Sequence, residues 1–304
     1  IMQIFLADKN NNKVTLKRND NNSWSVNNKF LASQDQINIL LKTLHLLEVQ
    51  APVAKAAYNN IIRQLAARGI KVEIYQYKYR INLFNYIKLF PHITKTKTFY
   101  VGDHTPTYIG TYMMIENADA PYVVNIPSFH GYLTTRFSTK EIDWRDRIIF
   151  ASNLKNIKSI TVNNRNPQDT SFKLVYNGKK FILFSLPDKK QVIPKDTNII
   201  NYYIMNYSKI SLENYLTNIN KNVSDSIRKL PVENIIQIET TDNKITTIKT
   251  IKMGAKLGDV DQKGNQLIYD RDRLYALINN DSDIVIIQYY EFDKILKNIS
   301  FFKN

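Results

Sequence analysis

The chain repeats itself. Three short strand-like runs followed by a helical pattern open near Ile4 and recur near Ile160, and a glycine-marked strand pair ending near Phe129 recurs before Phe292. A recurrence of this length constrains the fold more than any motif, because it implies two modules assembled from the same order of elements. The first copy reads as strands at residues 2–8, 13–18 and 23–27, separated by Asn and Asp turn residues. Val14 and Leu16, then Trp24 and Val26, alternate with polar neighbours, so one face of that sheet points inward and the other is wet.

Ser33 and Gln36 make a capping-box pattern ahead of Ile37, Leu40, Leu41 and Leu44 at helical spacing. Pro52 is expected at the first position of a second helix, and Gly69 in a left-handed conformation just past its end. Val53, Ala57, Ile61 and Leu65 form the buried stripe between them. Strands follow at residues 70–75, 98–102, 109–116 and 121–126.

In the second copy, residues 157–162, 171–176 and 180–186 repeat the opening strands, with Phe181 where Trp24 stood. A helix carrying Ile199, Ile200, Tyr203, Ile204 and Tyr207 comes next, then strands at 235–240, 245–253, 266–270, 274–279 and 284–289 and a short helix over 292–299. Met253-Gly254 echoes Val101-Gly102, and residues 274–280 echo 111–117. Strand runs do not alternate strictly with helices as a parallel sheet requires, so the expected class is α+β. It has two related strand-rich modules, residues 1–150 and 151–304, with mainly antiparallel sheets, each covered by one or two helices.

Forty-two Lys and Arg against 27 Asp and Glu give a net charge of +15, which raises the question of an anionic partner. The cations are dispersed and never form a block of five or six, so an ordinary solvated surface is the simpler reading and nucleic acid is not the expected partner. No cysteine is present, which excludes disulfides and thiolate chemistry. The longest apolar runs, such as Ile284 to Ile287, are too short to cross a bilayer. Ile1-Met2-Gln3-Ile4 reads as a strand already under way, from which an upstream leader or membrane anchor is expected.

Little of the sequence resembles chemistry. There is no GxGxxG, P-loop or GxSxG string. Of four histidines, His45 sits among leucines, while His104 and His130 flank the tail of the first half, where an imidazole acid or base would need them to meet. Asp259, Asp261 and Asn265 partly match a calcium loop, but Lys263 occupies a ligand position, and a polar hairpin connection is the preferred reading. Asp143 and Asp146, and Asp270 and Asp272, are carboxylate pairs of the kind glycosidases use, with intervening arginines that would more simply pair with them. No catalytic residue, cofactor or metal is assigned.

Aromatic residues are more informative. Tyr75, Tyr77, Tyr79, Phe84, Tyr86 and Phe90 interleave with Lys78, Arg80 and Lys88, a pattern that fits base stacking or, better, an amphipathic hairpin buried against a partner protein. The tail of the first half concentrates Phe129, His130, Tyr132, Arg136, Trp144 and Arg145, and these six are the candidate partner-binding residues.

With Ile4-Phe5-Leu6-Ala7-Asp8-Lys9, Trp24 and Val26, Pro52-Val53, Val72-Glu73-Ile74-Tyr75 and Tyr100-Val101-Gly102-Asp103 laid out, the chain resembles an uncharacterised bacterial envelope domain family. That family is a domain of unknown function also found in proteins associated with gliding-motility-type ABC transporters. Residues 127–132, Arg136-Phe137 and Trp144-Arg145-Asp146 add to the likeness, which is carried mainly by the first half. The resemblance implies an amino-terminal membrane anchor, a periplasmic location at the inner membrane, and a body of repeated α+β modules with no catalytic residues. The expectation is a non-enzymatic, membrane-tethered binding or scaffolding protein with an envelope protein partner and no small-molecule cofactor. A polyanion or nucleic-acid binder and an envelope hydrolase using paired carboxylates are the alternatives.

Overall fold

The opening alternation builds a sheet because every second side chain of each strand is buried. Ile4 and Leu6, Val14 and Leu16, and Trp24 and Val26 are all buried on one face. The computed structural model describes residues 1–83, 87–165, 170–186, 188–217 and 219–303. It divides into two units, Ile1–Asp146 and Arg147–Asn304, so residues 147–150 belong with the second unit and not with the first.

The first unit runs β1 (Gln3–Ala7), β2 (Lys13–Arg18), β3 (Trp24–Val26), β4 (Phe30–Leu31), α1 (Gln34–Leu46), β5 (Glu48–Pro52), α2 (Lys55–Arg68), β6 (Ile70–Leu83), β7 (Ile87–His104), β8 (Thr111–Ile115) and β9 (Tyr122–Asn125). Its nine strands form one sheet in the order β4-β3-β2-β1-β6-β7-β8-β9-β5, and all the pairings are antiparallel. Ile37 and Leu40 of α1 close the core on one face, with Val72, Phe99, Val101 and Met113. Ile61 and Leu65 of α2 pack on the other face, against Tyr100, Tyr112 and Val123.

The second unit opens with β10 (Ile148–Phe150) and continues with β11 (Ile157–Asn164), β12 (Phe172–Tyr176), β13 (Phe181–Ser185), β14 (Gln191–Val192), α3 (Thr197–Met205), β15 (Ile210–Ser211), β16 (Asn214–Tyr215), α4 (Lys221–Lys229), β17 (Val232–Thr240), β18 (Ile245–Gly254), β19 (Tyr269–Ile278), β20 (Asp283–Gln288) and α5 (Tyr289–Phe292). Its main sheet has the order β14-β13-β12-β11-β17-β18-β19-β20-β16, the first unit's order strand for strand. The strands β10 and β15 form a separate two-stranded sheet.

Register proves the repeat residue by residue. Ile4 stands opposite Leu16 and Ile74, and Ile160 opposite Leu174 and Ile238. Trp24 and Phe181 then fall at one equivalent position, opposite Arg18 and Tyr176. Residues 274–278 match 111–115 as read, since Met113 pairs with Val101 and Ala276 with Thr250. The same pairs make Val101 equivalent to Thr250, so the Met253-Gly254 echo lies three residues out of register.

Ser33 caps α1 as its sequence implies, accepting a hydrogen bond from the Gln36 amide at 3.5 Å. The two punctuation marks around α2 were misread. Pro52 ends the edge strand β5, where a missing N–H is harmless, and α2 starts at Lys55. Gly69 is extended, at φ −63°, and glycine is needed there because a Cβ would press on the Leu65 carbonyl. Gly102 likewise lets Leu65 approach, since a Cβ would lie 2.7 Å from its Cδ2.

Candidate functional site

The strands β6 and β7 outrun their sheet. β1 reaches only to Tyr75 on β6, and β8 only to Phe99 on β7, whereas β6 and β7 go on pairing with each other as far as Leu83 and Ile87. Residues 76–83 therefore carry a two-stranded ribbon about 25 Å beyond the sheet, at about 3.3 Å per residue. A two-stranded ribbon by itself buries little of either face.

The ribbon's side chains are nevertheless sorted by face. The cross-strand pairs Tyr77 with Ile93, Tyr79 with Pro91 and Ile81 with Leu89 share one face, and Gln76 with Thr94 and Lys78 with His92 share the other. Tyr77, Tyr79, Ile81, Leu89 and Ile93 are between 39% and 54% exposed, an apolar face of the kind that marks an interaction site, and Phe90 beside them is 63% exposed. Phe90 has φ +56°, a left-handed conformation uncommon for a bulky residue. Phe84 and Tyr86 lie outside the described residues, as does the Lys88 side chain. Ile81, Leu89 and Ile93 were missed by the sequence reading. The available signal was the absence of any Asp or Glu from Tyr75 to Gly102.

A buried carboxylate fixes the ribbon's root. Glu73 accepts from the Lys71 ammonium at 2.7 Å, the Tyr75 hydroxyl at 2.7 Å and the Lys95 ammonium at 3.5 Å. Burial pushes its pKa up, but the Lys71 and Tyr75 hydrogen bonds and the Lys71 and Lys95 charges together hold it below the ordinary glutamate value. The bond to Glu73 in turn raises Lys71, and with burial it raises Tyr75. Because the folded value is depressed, Glu73 stabilises fully above its ordinary 4.5, and that stability is lost as pH falls through the lowered folded value. Glu73→Gln is expected to cost about 1–2 kcal/mol at neutral pH, between exposed-pair and buried-pair magnitudes. Thermal melts across pH 7 to 3 should show the difference from the parent shrinking with acid.

The six residues proposed from the first-half tail do not form one surface. Trp144 is 3% exposed and its indole N–H donates to the Ser138 carbonyl at 2.8 Å. Arg145 is 6% exposed, with its guanidinium 3.8 Å from the Phe30 ring centroid. Both are scaffold, because a chain segment that closes over its own core consumes its large side chains. Arg136 covers the Phe129 ring at 4.3 Å and donates to Thr43 Oγ1 at 2.8 Å, tying the tail to α1. His130 and Tyr132 are exposed.

Tyr132 joins His104 and Tyr108 in an aromatic cluster, with the His104 and Tyr108 rings stacked at 4.1 Å. His104 Nδ1 lies 2.9 Å from the Thr105 carbonyl, so its ring is used in packing and turn bonding. Four of the candidate carboxylates are likewise occupied. Asp143 accepts from Ser138 Oγ, Asp261 from the Lys263 and Asn265 amides, Asp259 from the Lys256 amide, and Asp270 from the Asp272 and Arg273 amides. Arg273 forks onto Glu213 at 2.8–3.1 Å and not onto its aspartate neighbours, which corrects the pairing expected there. These acids lock turns.

Among the described residues no group of three or more His, Cys, Asp or Glu is placed to hold a metal ion, and no helix is long and apolar enough to cross a membrane. Neither a curated protein nor a solved structure matches the chain. A family model does, over residues 24–226, and its description is Domain of unknown function (DUF4340).

Proposed function

The chain belongs to that DUF4340 family, and from this premise we propose that it is a non-enzymatic binding or scaffolding element of a cell-envelope assembly. In this reading it works in the periplasm, held to the inner membrane by an amino-terminal anchor, and it engages an envelope protein through the ribbon. The observation that carries the reading is the ribbon's exposed apolar face, Tyr77, Tyr79, Ile81, Leu89 and Ile93, on a two-stranded projection that runs past the sheet. Tyrosine beside arginine is the composition of protein interfaces, where a rigid aromatic body gives contact area at little entropic cost. Of the carboxylates of the hydrolase alternative, Asp143 accepts from Ser138 Oγ and Asp270 from two turn amides.

A photo-crosslinking residue at Tyr79 in intact cells is expected to capture one discrete envelope protein, and the same residue at Lys179, in an exposed turn of the second unit, is not. The absence of acidic residues from Tyr75 to Gly102 favours polyanion binding as the second reading. Capture of nucleic acid at Tyr79, lost as salt is raised, would replace the first reading with the second.

A further inference from the structure

The two units share a topology but differ at one place. From the helix caps Ser33 and Asp196 to the edge-strand residues Ala51 and Asn214 they align without a gap, since Ala51 pairs with Val123 as Asn214 pairs with the equivalent Ile286. Leu44, Leu47 and Val49 therefore correspond to Tyr207, Ile210 and Leu212. In the second unit this region is covered by β10. Phe150 lies opposite Ile210 and packs on Tyr207 with ring centroids 5.4 Å apart, Ile148 stands opposite Ser211, and the Leu212 amide donates to the Arg147 carbonyl at 2.9 Å.

The first unit has a cavity of about 250 Å³ at the corresponding place, lined by Leu44, Leu47, Val49, Phe99, Met113 and Ile115 among others. Val49 is 63% exposed where Leu212 is 4%, and Ile115 is 53% exposed where Ile278 is 6%. One fold thus shows the same apolar seat filled in one copy and open in the other. The open seat is smaller than the roughly 300–1,000 Å³ of small-molecule sites and suits a single large side chain.

We propose that this seat of the first unit receives an extended segment of a partner polypeptide, chemically like Ile148–Phe150, which lies along residues 47–49 and inserts an aromatic side chain into the cavity. The backbone is ready for it, because β5 is the terminal strand of its sheet and one of its edges is unpaired. The rim carries both Glu48 and Lys97, so the apolar lining and the open strand edge, and not charge, select the occupant. The inference is independent of the ribbon and of where the protein works.

The probe is a fluorescent peptide with the sequence of residues 146–153, titrated into the whole chain and followed by anisotropy. Saturable binding is expected, weakened about tenfold or more by Val49→Asp or Ile115→Lys, the loss of one buried apolar contact. The same peptide with alanine in place of its phenylalanine should bind as poorly. Both variants sit at exposed positions, so circular dichroism should show them folded. No saturable binding by the folded chain, or binding that both variants leave intact, overturns the proposal. Self-association in sedimentation that Val49→Asp abolishes would also overturn it, because a second copy would then be the occupant.

Discussion

Trp144→Ala is expected to destabilise the first unit by about 3–5 kcal/mol, the cost of emptying a buried aromatic site. Three bonds tie the segment in, and the substitution removes the first of them directly. The indole donates to the Ser138 carbonyl, the Trp144 carbonyl accepts from the amide of the cap residue Ser33, and the next turn returns through the Asp146 amide to the Leu31 carbonyl. Removing the ring loosens the segment that seals β4 and the start of α1 against the core. A melting transition lower by about 10 °C, for a unit of this size, is the readout. A variant that melts like the parent but no longer captures a partner would restore Trp144 to the contact role its sequence setting implied.

Shortening the ribbon should have the opposite signature. Joining Gln76 to Thr94, which face each other across the ladder, through Asn-Gly gives a two-residue turn that strands of this twist accept. The variant is expected to keep the parent's stability to within about 1 kcal/mol, because none of the described residues it deletes belongs to a buried core cluster. Capture by a crosslinker moved to the Tyr75 position should fall to background. A folded, shortened chain that still captures the same partner would remove the ribbon from the contact. Trp144 and the ribbon thus separate folding from binding within one unit.

The strand pattern was open to reading because burial follows a period of two. Ile4, Leu6, Val14 and Leu16 sit on the core face as the alternation implies, and Trp24 matches Phe181 to the residue. What failed was long-range. β5 was not read as a strand, since Glu48–Pro52 is mostly exposed and is held by pairing with Tyr122–Asn125, far along the chain. The Met253-Gly254 echo followed a matching glycine, and only the cross-strand pairs show that Thr250 is the residue equivalent to Val101. Residues 269–278 form one strand where two were read, because the Asp270 turn bonds lie within it. The helix α4 was overlooked, although Asn220 caps it.

For the contact surface, the sequence showed which residues are aromatic and cationic but not which have a body behind them. Trp144 and Tyr79 look alike as interface anchors by composition. One is packed under a loop and the other stands on a ladder with one layer, and only tertiary pairing distinguishes them. The open seat beside β5 was invisible for the same reason, since it appears only when two copies of one topology are compared.

The placement of β5 at the far edge of its sheet also orders the events of folding. Its partner Tyr122–Asn125 emerges only after β6, β7 and β8, so β5 has no ladder to join until those strands are made, and its pairing bears the entropic cost of closing the whole intervening loop. The β6–β7 hairpin meets no such delay, because its end pair, Leu83 with Ile87, is only four residues apart in sequence and can zip inward from there. On a growing chain the projecting hairpin is therefore expected to form early, and the sheet's closing strand to lock last.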